Sequence, residues 1–115
     1  MKKSKPVITE TIELDDGVCV VASGDVDLSR SPVLRDELFA IVDRRPGRLV
    51  VDLSNVEYMD SSGIATLIEA YKRLDGNQAK MVIFGLQPRV QGIFEIARMD
   101  QVFHLAKDLD AAKSV

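Results

Sequence analysis

Cysteine and histidine are nearly absent: one of each, Cys19 and His104, stands among the 115 residues. A lone cysteine closes no internal disulfide, and one Cys with one His falls short of a structural zinc site. Basic charge is not in excess either. The chain has 15 Lys and Arg against 18 Asp and Glu, a formal net charge of -3. That balance argues against the dense basic face used to grip nucleic acid. No apolar run approaches the ~20 residues that cross a bilayer. Lys2, Lys3 and Lys5 are followed by no apolar h-region, so a secretory leader is not expected. They read instead as a frayed, solvated start. The expected compartment is a reducing cytoplasm. Cys19, set in Val18-Cys19-Val20-Val21-Ala22, is read as a small buried hydrophobe.

Internal repeats and low-complexity segments are also missing. The length suits one core and leaves no room for a second, so 1–115 is read as a single domain. Its radius of gyration should be roughly 13–14 Å. Apolar residues make up 46% and charged residues 29%, as expected of a globular chain.

Periodicity, punctuated by turn residues, gives the order of elements. Val7 to Leu14 alternates as a half-buried strand. Asp15-Asp16-Gly17 turns it into a β-branched run, Val18 to Ser23, completing a hairpin. Gly24 to Ser29 is a loop. Ser31-Pro32 predicts an N-cap followed by proline at the first helical position. Leu34, Leu38, Ile41 and Val42 form one helical face, with Arg44 and Arg45 suited to the helix C-terminus and Pro46-Gly47 ending it. Arg48 to Leu53 is a short apolar strand covered on both faces. After a loop from Ser54 to Met59, Asp60-Ser61-Ser62-Gly63 opens a second helix. Its buried side carries Ile64, Leu67, Ile68 and Tyr71, and Asp75-Gly76-Asn77 closes it. Met81 to Phe84 is another strand. Pro88 opens a third helix with a stripe of Val90, Ile93, Phe94 and Ala97. Val102 to Leu105 is a last strand, and Asp108 caps a short helix through Lys113. Strand–helix–strand repeats require right-handed crossovers, hence an α/β fold. The expected sheet is small, mixed and mostly parallel, with helices packed mainly on one side.

Chemistry concentrates at Asp52-Leu53-Ser54-Asn55-Val56-Glu57-Tyr58-Met59-Asp60-Ser61-Ser62-Gly63, between a central strand and a helix. In parallel sheets, ligands and partners meet the C-terminal ends of strands. Free N–H groups and the positive dipole end at a helix start favour an anion. A phosphate on Ser61, about -1.5 to -2 in charge, would find a favourable local place there. The same residues also read as plain capping, with Asp60 and Ser61 satisfying orphan amides.

The chain resembles the anti-sigma factor antagonists of the STAS family (sulfate transporter and anti-sigma antagonist domain). Four stretches carry the resemblance nearly end to end. Gly24-Asp25-Val26-Asp27 is similar to the acidic turn after the family's second strand. Leu49-Val50-Val51-Asp52-Leu53-Ser54 is similar to its central strand. Tyr58-Met59-Asp60-Ser61-Ser62-Gly63-Ile64 resembles its phosphorylation motif. Pro88-Arg89-Val90 through Phe94, with Met99 to Phe103, resembles its last helix and strand.

The resemblance implies a STAS-like fold and a partner switch. Ser61 matches the phosphoacceptor, and Asp27 and Asp60 match acidic positions beside it. Ser62 matches a small hydroxyl position. The implied kinase is an anti-sigma factor that carries its own ATP and magnesium, so no cofactor is expected on this chain. Unphosphorylated antagonist would bind that factor and free a sigma factor. Phosphorylation would break the complex, and a metal-dependent Ser/Thr phosphatase would reset it. Partner contacts are expected from Asp25, Asp27, Tyr58, Asp60, Ser61, Ser62 and Gly63. Ala65 departs from the pattern, since relatives often carry a second glycine there. Alanine should firm the helix by about 1 kcal/mol.

A catalytic role for Ser61 is not expected. The only histidine lies in an apolar strand, and no Gly-x-Ser-x-Gly elbow is present. Nucleotide binding by this chain is not expected either, because it lacks a Gly-x-x-x-x-Gly-Lys-[Ser/Thr] loop and Gly24–Asp27 is acidic. The alternative is a STAS scaffold or adaptor, in a large signalling assembly or beside a transporter. Met59, Met81 and Met99 read as packing, and Arg89 and Arg98 as solvated helix charges.

Overall fold

Residues 5–115 are described by the structure, a computed structural model. Lys2 and Lys3 lie outside the described residues, and Lys5 is exposed. Five strands form one sheet in the order β1 (Ile8–Glu13), β2 (Gly17–Ser23), β3 (Arg48–Asn55), β4 (Lys80–Phe84) and β5 (His104–Ala106). The β1–β2 hairpin is antiparallel, and every other neighbouring pair is parallel. The radius of gyration is 13.0 Å.

The helices are α1 (Ser31–Val42), α2 (Ser61–Gly76), α3 (Pro88–Ile96) and α4 (Leu109–Lys113). From β2 onward each strand lies beside its predecessor in the same direction. Crossovers of one hand then deliver α1, α2 and α3 to the same face. Side chains alternate along each strand, so that face is built from Val18, Val20, Leu49, Val51, Leu53, Met81 and Ile83. They pack against Leu34, Leu38, Leu67, Leu74, Val90 and Phe94 of the helices. The opposite face carries Cys19, Val50 and Val82 beneath Ala112 of α4. Arg48 ties that short helix down. Its Nη1 donates to the Ala112 carbonyl at 3.0 Å and its Nε to Asp16 Oδ2 at 2.9 Å. Both faces of β3 are therefore covered, as expected from its unbroken apolar run.

Several local expectations need correction. Arg30, not Ser31, is the N-cap of α1, and Ser31 is buried as the first helical residue. The Asp27 carbonyl accepts from the N–H of both Arg30 and Ser31, which brings the turn in one residue early. Asp43 ends α1, so Arg44 and Arg45 lie beyond it. Arg45 is left-handed (φ 53°), and Arg44 pairs with Glu13 at 3.2 Å. β3 runs two residues further than its apolar core, to Asn55. Val102 and Phe103 precede the last strand, because a 3-10 turn at Met99–Gln101 follows the left-handed Arg98. Ala97 is exposed rather than part of the buried stripe.

Burial pushes the Cys19 thiol up to about 11, with the Asp52 and Glu10 carboxylates adding to it. The thiolate is the reactive form. Labelling of Cys19 at pH 8 should therefore run about a hundredfold or more slower in the native chain than in the unfolded one, whose thiol titrates near ~8.5. Equal rates in a timed disulfide-exchange assay would contradict this burial.

Candidate functional site

The loops leaving β2, β3 and β4 meet at one end of the sheet. Two of them are joined as if each strand continued. Val26 N–H donates to the Tyr58 carbonyl at 2.9 Å and Asp60 N–H to the Val26 carbonyl at 3.2 Å, pairing Val26 with Met59 in parallel. Both side chains are fully buried. Asp25 and Tyr58, the chain neighbours of these anchors, are exposed.

Gly24 allows the first loop to turn, at φ +88°. The Arg30 guanidinium fills the space where a side chain on Gly24 would sit. Its Nη2 donates to the Pro6 carbonyl at 3.0 Å, holding the loop to the start of the described chain. Asp27 Oδ1 accepts from the Ser29 hydroxyl at 2.7 Å and from the Ser29 N–H at 3.0 Å.

Asp60 is the N-cap of α2. Its Oδ1 accepts the Ser62 N–H at 2.9 Å and the Ser62 hydroxyl at 2.5 Å. Its carbonyl accepts from the N–H groups of Gly63 and Ile64. The expectation that free amides await an outside anion is thus corrected in part, since Asp60 itself occupies those of Ser62, Gly63 and Ile64 and leaves only the Ser61 N–H without a partner among the described residues.

Ser61 is exposed as the first residue of α2. Asp25 and Tyr58 are exposed too, while Asp27, Asp60 and Ser62 are partly buried. Six of the seven expected contact residues therefore reach one surface. Gly63, the seventh, is buried instead. A Cβ there would come within 2.6 Å of Met59 Cγ and 2.9 Å of Val26 Cγ1. Its missing side chain lets α2 sit down on the paired loops.

Two depressions meet at Tyr58, and Ser61 lines the first of them. An apolar groove of about 360 Å3 is lined by Tyr58, Asp60, Ser61, Ile64, Ile93, Ile96 and Ala97. A cleft of about 540 Å3 sets Asp25, Asp27, Glu57 and Tyr58 opposite Gln87, Pro88 and Arg89. Ile96 is 86% exposed, Leu28 75% and Tyr58 37%. Large exposed apolar side chains beside a polar rim are a mark of protein–protein docking. Ile96 and Leu28 were missing from the residues expected at this site. The signal for Ile96 was present in Ile93-Phe94-Glu95-Ile96, which carries more apolar residues than one buried helical stripe uses.

The Ser62 hydroxyl holds the Asp60 carboxyl below its ordinary value, and the Ser29 hydroxyl does the same for Asp27. A depressed carboxylate stabilises the fold above its unfolded value, about 3.9. That contribution is lost as pH falls through the lowered folded value. The backbone amide signals of Ser29 and Ser62 should therefore titrate below the ordinary carboxylate range and stay unchanged between pH 5 and pH 7. An NMR pH titration with midpoints at or above about 3.9 would contradict these bonds.

Residues 7–112 match the family described as the STAS domain. The anti-sigma-B factor antagonist of Staphylococcus epidermidis is 30% identical over 96 residues, covering 84% of this chain and 89% of that one. That of Listeria monocytogenes is 29% identical over 90 residues, covering 78% and 79%. The crystal structure of an anti-sigma factor antagonist from Mycobacterium paratuberculosis superposes with a TM-score of 0.83. It is 28% identical and covers 91% of this chain and 89% of its own.

Proposed function

The chain belongs to the STAS domain family, and from that premise we propose that it is an anti-sigma factor antagonist whose docking face is switched by phosphorylation of Ser61. The names of its relatives support the first half of this reading. The observation that carries the second half is the position of Ser61, an exposed hydroxyl lining an apolar groove that shares Tyr58 with an acidic cleft. Unmodified, it is small and neutral, so a partner can press against the groove. The partner is an anti-sigma factor with serine kinase activity, and ATP and magnesium belong to it. A Ser/Thr phosphatase restores the hydroxyl. The chain itself acts as a ligand rather than a catalyst, and it needs neither nucleic acid nor membrane insertion to do so.

Phosphate adds charge and bulk to a surface that binding buries. Desolvating an ion without a partner is costly, and Asp60 already takes the Ser62 and Gly63 amides of the cap. The rigid pairing of Val26 with Met59 confines the effect to docking. The far-UV spectrum of the phosphorylated chain should match that of the unmodified one, and its amide signals should move only around Ser61.

Ile96 tests the docking face without touching the cap. Ile96→Asp should leave the melting temperature within a few degrees, since surface changes usually cost under about 0.5 kcal/mol. It should weaken binding to an anti-sigma partner by roughly thirtyfold, the loss expected for a docking hot spot of about 2 kcal/mol. Calorimetric titration showing unchanged affinity would place the partner elsewhere.

A further inference from the structure

Two adjacent serines open α2, and the structure holds them differently. Ser62 is partly buried, and both its hydroxyl and its N–H are committed to Asp60 Oδ1, at 2.5 and 2.9 Å. Its carbonyl in turn accepts the Thr66 hydroxyl at 3.0 Å, which fixes it from the helix side. Ser61 is exposed and lines the apolar groove. Resting on the reading of this site as a phosphoacceptor, we propose that Asp60 is the positioning residue that selects Ser61 over Ser62, by sequestering the Ser62 hydroxyl.

Phosphoryl transfer from a nucleoside triphosphate on the kinase makes one bond and breaks one. The serine Oγ bonds to the γ-phosphorus, and the bond from that phosphorus to the β–γ bridging oxygen breaks. The nucleoside diphosphate leaves, and the hydroxyl proton passes to a base on the kinase. Ser61 can enter this arrangement as it stands. Ser62 must first surrender a hydrogen bond to a carboxylate, and its attack would bring the anionic γ-phosphoryl group against that same carboxylate. Loss of one such charge-assisted bond slows a step about tenfold or more.

Asp60 is poorly suited to serve instead as a base for Ser62, because the bonds that hold the hydroxyl also lower the carboxyl's affinity for a proton. The same Asp-x-Ser geometry recurs at Asp27–Ser29 and Asp52–Ser54. In those two places the intervening residue is leucine. Only at Asp60 does the turn leave a second hydroxyl outside the bond.

The test is site mapping by mass spectrometry, after incubating the full chain with candidate anti-sigma kinases and ATP. Unmodified chain should carry phosphate on Ser61 at least about ten times more often than on Ser62. Ser61→Ala should gain phosphate on Ser62 at no more than about a tenth of the rate at which the unmodified chain gains it on Ser61. Asp60→Gly keeps the cap to within a few tenths of a kcal/mol but removes the carboxylate, so phosphate should then divide between the two serines. Phosphate on Ser62 in Ser61→Ala as fast as on Ser61 of the unmodified chain, or strict use of Ser61 in Asp60→Gly, overturns the selection and leaves the switch reading intact. Phosphate on neither serine of the unmodified chain defeats the switch reading and this inference with it. Should Asp60→Gly block the kinase altogether, the Asp60 carboxyl titration decides. Ser62→Ala should raise it towards the ordinary value, and an unchanged titration overturns the proposal.

Discussion

Gly63→Val should destabilise the protein by about 3 kcal/mol or more, the upper range for forcing atoms into a packed interior. For a domain of this length that is a fall in melting temperature of roughly 12 °C or more. The reason is local. The first atom of any side chain at this position meets Met59 and Val26, both fully buried and both held by the paired loops. Gly63→Ala separates this crowding from helix propensity. On propensity alone alanine would stabilise α2 by about 1 kcal/mol. The crowding should reverse that sign, giving a net loss of about 1 kcal/mol. A thermal melt in which Gly63→Ala gains stability would contradict the close approach. The consequence reaches function, because the contact that seats α2 also sets where Ser61 stands.

Ser61→Asp should weaken binding to the anti-sigma partner by roughly a hundredfold, about 3 kcal/mol. A charged group that binding strips of water costs several kcal/mol when no counter-charge meets it. Ser61→Ala should bind as the unmodified chain does, because a neutral group of similar size leaves the groove open. Both variants should keep the native melting temperature within a few degrees, since Ser61 is exposed and the cap bonds run through Ser62. Equal affinity of Ser61→Asp and Ser61→Ala would remove the charge argument. A cooperative loss of structure in Ser61→Asp would replace a docking switch with an unfolding one.

The architecture was legible because its signals are local and repeated. Alternation marked the hairpin, and unbroken apolar runs marked β3 and β4. The Asp60 cap also stood where its residue type suggests, accepting from Ser62. The errors fell where a distant or through-space partner decides. Ser31 has the side chain of a cap, yet the Asp27 carbonyl shifts the helix start and buries it. Arg44 suits a helix end by charge, but Glu13 on the hairpin claims it.

The candidate site divides in the same way. Asp25, Asp27, Tyr58, Asp60 and Ser61 lie within two short stretches, so a linear pattern can find them. The buried role of Gly63 depends on Val26, which lies far away in sequence. Ile96 counts as part of the site only once α3 is packed beside α2, where it completes the groove at Ser61. A pattern of residue types does not reveal that some cap amides are already filled; the hydrogen bonds of Asp60 do.

The central claim is that one exposed hydroxyl at the start of α2 governs docking through its charge. Calorimetric titration of an ATP-binding anti-sigma partner tests it most directly, using chain phosphorylated and mapped to Ser61 beside the unmodified chain. The unmodified chain should bind, and the phosphorylated chain should bind at least about a hundredfold more weakly, with amide shifts confined to the residues around Ser61. Equal affinities in the two titrations would contradict the account.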